Sequence, residues 1–428
     1  MKIHVVSRGD TLTSIAKEYK TTPQNIILIN ELPNPEQLVV GQSIAIRIPS
    51  LLHTVAVGDT WDSISKKYKV SVSKLQQNNP RIAASDYLIP GEEVIIFFEG
   101  EQPIDSIIVN GFAYPNIDLE VLKKTLPFLT YVTIFAYGFM PDGTLLPIDD
   151  ESIIQLAKQY NVAPVLMLVP MGASDNSFNS DLAHELLTNE EATNKLIENV
   201  SATMMEKGYK GLNIDFEYIY PEDKEELLNF IEKSRERMTQ EGFFTLVALA
   251  PKTSGDMKGL LYEAHDYPSI GKLTDDVLFM TYEWGYLYGP PMATSPIDRV
   301  RKVVDYGVST IDPDKILLGV PNYAYDWTLP FVKGVSRAET ISNQEAIRRA
   351  AKYRVDIIFN RESQSPYYFY TNNNSQTHVV WFDDVRSMDA KMRLIPTYGL
   401  DGAGVWQIMN FFPGLWNVVG AHFIVEKV

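Results

Sequence analysis

Asp215 and Glu217 are the residues of this chain whose types and spacing best suit acid–base chemistry. They end the stretch Lys210-Gly211-Leu212-Asn213-Ile214-Asp215-Phe216-Glu217. In a strand the side chains alternate, so Asn213, Asp215 and Glu217 share one face while Leu212, Ile214 and Phe216 share the other. A carboxyl serves as a general acid near neutral pH only if its pKa is raised, and a second carboxylate beside it in a partly dry pocket does that. The amide of Asn213 is expected to donate a hydrogen bond to Asp215, keeping it ionised at any working pH. Other chemistries find little footing. The chain has no cysteine, its six histidines lie far apart, and neither an H-E-x-x-H helix nor a G-x-x-x-x-G-K-[ST] phosphate loop occurs. No metal and no nucleotide cofactor are expected, and nothing marks a Ser-His-Asp triad.

These residues need a scaffold, and its elements are readable. From about residue 106, short apolar runs alternate with helical stretches. The runs Ser106–Gly111, Tyr131–Tyr137, Ala163–Val169, Gly211–Glu217, Phe244–Ala250, Asp276–Trp284, Ile316–Pro321 and Gly402–Met409 read as strands. Amphipathic segments such as the acidic Pro221–Gln240 lie between several of them. Strands that alternate with crossover helices in this way predict an α/β fold, a (β/α)8 TIM barrel with its active site at the C-terminal ends of the strands. The face shared by Asn213, Asp215 and Glu217 then points inward. Barrel interiors normally hold Val, Ile and Leu, so successive polar residues there are costly unless they serve a site. Residues of about 330–384 are too many for a plain loop, and their Tyr-rich hairpin pattern predicts a small α+β insertion near the seventh strand.

Ahead of this region the sequence repeats itself. His4-Val5-Val6-Ser7-Arg8-Gly9-Asp10-Thr11-Leu12 recurs 49 residues later as His53-Thr54-Val55-Ala56-Val57-Gly58-Asp59-Thr60-Trp61, and Ile15 and Tyr19 recur as Ile64 and Tyr68. Each copy reads as a strand, a Gly-Asp turn with a Thr N-cap, two helices and a closing strand, a βααβ unit. The V-x-x-G-D-T-[LW]-x-x-I-[AS] run, with Asn30 or Asn79 ending the second helix, resembles the LysM module over residues 2–48 and 51–97. That resemblance implies binding of N-acetylglucosamine in chitin or peptidoglycan, through the loops after the first strand and the second helix. It points to Gly9, Asp10, Thr11 and Ile29 in the first copy and to Gly58, Asp59, Thr60 and Asn78 in the second. His4, His53 and the Gly-Asp-Thr turns read equally as residues that serve the fold. As anchors, residues 1–98 should be removable from a catalytic domain of residues 100–428 that stays folded.

That larger domain resembles family 18 of the glycoside hydrolases. Lys210 to Glu217 is similar to the family's D-x-x-D-x-D-x-E signature on the fourth strand, with Lys210 and Asn213 in place of the first and middle Asp. Met280-Thr281-Tyr282-Glu283 resembles the M-x-Y-D element of the sixth strand, with Glu for Asp. Trp406 matches the tryptophan that floors the catalytic subsite, and Gly111-Phe112-Ala113-Tyr114 the end of the first strand. The resemblance implies substrate-assisted retaining hydrolysis, an exception to the usual two-carboxylate scheme. Glu217 then protonates the departing oxygen while the substrate's own 2-acetamido oxygen attacks the anomeric carbon. Asp215 orients the acetamido N–H and stabilises the cationic intermediate, Tyr282 hydrogen-bonds the acetamido oxygen, and Glu217 finally activates water. Substrate contacts are expected from Asn213, Trp406, Tyr114, Tyr137, Met280, Glu283, Trp284 and Tyr323. Two LysM modules before such a barrel resemble the spore cortex-lytic N-acetylglucosaminidase type.

Charge and targeting signals bound the partners. A net charge of −16 argues against nucleic acid or an anionic membrane as ligand. No apolar run is long enough to span a bilayer, and the N-terminus lacks the h-region and cleavage site of a secretory signal. The family resemblance reconciles this with an extracellular polymer, because spore-layer proteins are laid down from the mother cell; it implies a place at the spore coat or cortex boundary. The expectation is a monomeric peptidoglycan hydrolase acting on cortex in germination. A chitinase or chitooligosaccharide hydrolase is the alternative enzyme. A catalytically inactive carbohydrate-binding barrel is the alternative of another class, usually marked by loss of the acid that Glu217 retains.

Overall fold

The computed structural model describes residues 1–32, 35–85, 87–174 and 177–428. In the first repeat β1 (Lys2–Val5) pairs antiparallel with β2 (Ser43–Ile46), and helices α1 (Leu12–Tyr19) and α2 (Pro23–Asn30) pack on the pair around Ile15, Ile26 and Ile44. The second repeat has β3 (Pro49–Thr54), α3 (Trp61–Tyr68), α4 (Val72–Asn78), the short α5 (Pro80–Ala83) and β4 (Glu93–Phe98). The internal bonds are duplicated. Thr11 and Thr60 each close a capping box, with Ser14 and Ser63 as reciprocal partners. His4 joins Asp10 to Tyr19, and His53 joins Asp59 to Tyr68. Asn30 exchanges hydrogen bonds with the Ala45 backbone, and Asn79 does the same with Ile95, so each pins its second helix to the closing strand.

The rest of the chain builds a closed parallel barrel with surrounding helices. Its strands are β5 (Asp105–Ala113), β6 (Tyr131–Tyr137), β7 (Ala163–Leu168), β8 (Gly211–Ile214), β9 (Phe244–Leu249), β10 (Asp276–Phe279) and β11 (Ile316–Pro321). The last, β17 (Gly402–Trp406), pairs with both β11 and β5 and closes the ring. Several strands stop short of the apolar runs that predict them. β8 ends at Ile214 rather than Glu217 and β10 at Phe279 rather than Trp284, because the chain turns out of the ladder there to line a pocket. Between β11 and β17 lies a five-stranded antiparallel sheet, β12 (Ala324–Thr328), β13 (Glu339–Ile341), β14 (Ile358–Asn360), β15 (Ser365–Thr371) and β16 (Thr377–Trp381), with one helix, Asn343–Tyr353. It begins before residue 330, the expected start, since β12 pairs with β16 and belongs to the same sheet.

The two modules are docked firmly on the barrel. Arg47 is 4% exposed, donates to Glu101 at 2.6 and 2.9 Å and to Asn417 at 3.1 Å, and lies over the Phe98 ring. Asn417 in turn donates to the Ile29 carbonyl. From the second module, Lys74 donates to the Gly420 carbonyl, and Ser73 and Gln77 both donate to that of Pro127. The first module also rests on the insertion, with Ile357 N–H donating to Val40 O at 2.8 Å. All ten residues of the helix Pro413–His422 are buried in consequence. A helix apolar all round needs cover on every side. Removal of residues 1–98, expected to leave a folded barrel, would uncover one face of this helix.

Candidate active site

The C-terminal ends of the strands surround a pocket of 580 Å³. Strand β8 delivers Asp215 and Glu217 just beyond its C-terminal end. Asp215 keeps one last ladder bond, its N–H to Leu168 O, and Glu217 follows where the chain bends toward Tyr218 at φ 56°. Between them Phe216 faces outward, stacked between Phe139 and Phe230. Its carbonyl accepts a hydrogen bond from His265 Nε2 at 3.0 Å, while His265 Nδ1 accepts one from Ala250 N–H at 2.9 Å. That arrangement requires the neutral ring, and burial holds its pKa down at about 4. His265 thus ties down the backbone between the two carboxyls. Nothing in the sequence pattern singles it out, since the contact spans 49 residues.

Asp215 is 3% exposed and its Oδ1 has no hydrogen-bond partner, so burial pushes its pKa up. Glu217 is raised well above the usual carboxyl range, first by burial and then by the charges of Asp215 and Glu283. Burial raises both carboxyls, and the charge of Asp215 further favours the protonated form of Glu217. Tyr282, 9% exposed, stands against the same group; burial and then the charges of Asp215, Glu217 and Glu283 keep it a phenol, and hence a donor. Its ring has room because residue 319 is glycine: a Cβ there would strike the ring and the Phe279 carbonyl. Trp406 closes the floor, with its ring centroid 5.3 to 5.9 Å from those of Phe112, Tyr114 and Phe135. Met280, Glu283 and Trp284 complete the expected lining. Among the described residues no cluster of His, Asp or Glu could hold a metal ion.

Three expected contacts are corrected. Asn213 is 0% exposed and lies in the barrel interior beneath the pocket; neither of its amide atoms has a partner, so the expected bond to Asp215 is not made. Tyr137 points to the helices, because an irregularity in β6 between Ile134 and Tyr137 breaks the alternation that would have put it inside. There its hydroxyl donates to Asp150 and accepts from Lys207. Tyr323 stands behind the wall, and its hydroxyl donates to Glu283, as does that of Tyr325 at 2.9 Å. Conversely, Phe135, Phe178, Tyr218, Tyr262 and Tyr286 line the pocket without having been expected there. Tyr218 directly follows Glu217, a signal available in the sequence; Phe178 and Tyr262 are brought in only by the fold.

In the modules, Asp10 and Asp59 accept hydrogen bonds within their own turns, while Gly9, Gly58, Thr11 and Thr60 remain exposed. Asn78 is 5% exposed and donates to Ile96 O, and it lines with the partly exposed Ile29 a cleft where the two modules meet the barrel.

A parallel barrel with two buried carboxyls of raised pKa among aromatic walls at the C-terminal ends of its strands is the framework of a barrel glycoside hydrolase. The chain belongs to glycosyl hydrolases family 18, whose model matches residues 111–410, and the LysM domain model matches residues 4–47 and 53–97. It is 36% identical over 434 residues to the cortical fragment-lytic enzyme of Bacillus subtilis, covering 100% of this chain and 99% of that one. It is 31% identical over 430 residues to a sporulation-specific glycosylase, described as putative, of the same organism, with 100% of both chains covered. The crystal structure of the Bacillus megaterium spore cortex-lytic enzyme SleL superposes with a TM-score of 0.83 at 35% identity, over 100% of this chain and 99% of that one.

Proposed function

We propose that the protein is an N-acetylglucosaminidase that cleaves β-1,4 bonds of spore cortex peptidoglycan during germination by substrate-assisted retaining hydrolysis. The observation that carries this reading is the pair lining the pocket at the end of β8: Glu217, whose carboxyl burial and the charge of Asp215 push toward its protonated form, and Asp215, whose buried Oδ1 has no hydrogen-bond partner. The first is ready to protonate a leaving oxygen. The second awaits a donor and a developing positive charge, and a 2-acetamido group supplies both, its N–H to Asp215 Oδ1 and its oxazolinium-like cation beside the carboxylate. In this reading the Tyr282 hydroxyl holds the acetamido oxygen as it attacks. Full-length likeness to proteins named as cortex-lytic supports the polymer and a place in the spore. The test is digestion of purified cortex fragments with mass-spectrometric assignment of the new reducing ends. N-acetylglucosamine at every new end supports the reading; muramic ends, or cleavage of chitin oligomers alone, overturns it.

A further inference from the structure

The two modules share a fold and differ in what covers them. In each, a single residue holds two turns side by side. Val6 N–H donates to Gln42 O while the Val6 carbonyl accepts from Gly41 N–H, and Val55 does the same with Glu92 and Gly91. The turn Ser7–Asp10 therefore lies beside Val39–Gln42 in the first module, and Ala56–Asp59 beside Ile89–Glu92 in the second.

In the first module the later turn is spent on the catalytic domain. Val39 is 6% exposed and sits in the apolar core of the insertion with Ala350 and Ile357. Besides the bond from Ile357 to Val40, Gln37 donates to Ala351 O and Arg386 to Gly41 O, each at 3.0 Å. On the barrel side of the same module Lys124 donates to Glu31 at 2.6 Å. A Cβ on Gly41 would come within 2.0 Å of Ile357 O, whereas nothing stands within 4 Å of the Cβ position at Gly91. The second module leaves the matching edge open: Val57, Tyr87 and Ile89 are 90, 72 and 51% exposed. Apolar side chains gathered at an exposed edge mark a contact surface. A pyranose ring presents a flat C–H face that one aromatic and two aliphatic side chains can cover. An uncharged patch is also what a chain of net charge −16 needs in order to hold a polymer that itself carries carboxylates.

We propose that the modules have divided their work. The second holds the glycan polymer through Val57, Tyr87 and Ile89, while the first is a bracket that fastens the insertion to the barrel. This rests on the peptidoglycan reading above.

Co-sedimentation with purified insoluble peptidoglycan tests the first half, with every full-length protein carrying Glu217→Gln so that the polymer is not digested. Tyr87→Ala and Ile89→Ser together should weaken binding by about tenfold or more. Arg8→Ala, at the position that matches Val57, should leave it within about twofold. Equal weakening in the two proteins, or no loss in the double variant, overturns the proposal. Thermal unfolding tests the second half. Gly41 and Gly91 lie at φ 85° and 95°, so alanine meets similar backbone strain at both, and only Gly41→Ala also drives the first module off Ile357. Its midpoint should fall below that of Gly91→Ala by about 2 °C or more. Loss of folding in Gly41→Ala alone counts as the larger fall; equal falls overturn the bracket. If the Glu217→Gln parent does not sediment at all, the peptidoglycan reading falls and this proposal with it.

Discussion

Arg47 at the seam and Asp215 in the pocket are almost equally buried, at 4% and 3% exposed, but their surroundings differ completely. Arg47 spends its guanidinium on Glu101 and Asn417. Lys74 and Lys427, whose pKa values burial lowers to about 8 and about 7, each find backbone carbonyls, Gly420 for the first and Leu126 and Leu129 for the second. At the seam every one of these buried cations has its partners within the chain. Asp215 keeps an unpaired oxygen, and burial followed by the charges of Asp215 and Glu283 raises the pKa of Glu217. A satisfied charge holds two parts of the molecule together, whereas an unsatisfied one is left for the substrate to complete. Substitutions in the two regions should therefore separate stability from turnover.

The largest effect is expected at Glu217. Glu217→Gln keeps the shape and removes the proton donor, so kcat should fall by about two to four orders of magnitude with the denaturation midpoint little changed. In the unaltered protein the pH profile carries the same information. Activity needs Glu217 protonated and Asp215 ionised, and both pKa values are raised. The rate should fall as pH rises through the Glu217 value and as pH drops through the Asp215 value, with both limbs displaced upward from those of free carboxyls. A profile of kcat/KM against pH with its limbs at ordinary carboxyl values would contradict this assignment.

Next in size is the seam. Arg47→Ala strands Glu101 in a buried site, which typically costs about 3–5 kcal/mol. Urea denaturation should register that loss, while kcat/KM on short soluble glycans stays unchanged at temperatures where the variant is folded. A fall in turnover of the folded variant would show that the seam communicates with the pocket and would erase the contrast. Smallest is Tyr282→Phe, the loss of one hydrogen bond in a closed site, expected to lower kcat/KM by about 1–3 kcal/mol in transition-state terms without a change in stability. An unchanged kcat/KM would remove Tyr282 from the group that holds the acetamido oxygen.

Much of this architecture is legible without coordinates, for reasons that are local. Alternation along a strand depends on neighbouring residues alone, which is why Asp215, Glu217 and the barrel strands are identifiable from their own segments. The duplicated turns are also local: Thr11 and Thr60 cap helices that begin at the next residue, and Asp10 and Asp59 fold back only three residues. Tyr137 shows where that logic ends. One irregularity in β6 reverses the face of every residue after it, and no pattern within the strand announces it.

The sequence by itself determined the fold class, the repeat and the two carboxyls at the centre of the site, because periodicity and turn chemistry act over a few residues. Tertiary structure alone decided that Asn213 lies beneath the pocket without reaching Asp215, that Tyr323 stands behind Glu283, and that His265 grips the backbone at Phe216. It also decided that the modules are seated on the barrel rather than tethered to it, through bonds that join residue 47 to 417 and residue 74 to 420. Each of these depends on distances between segments far apart in the chain, which are settled only when the whole core packs and every buried polar group must find, or do without, a partner.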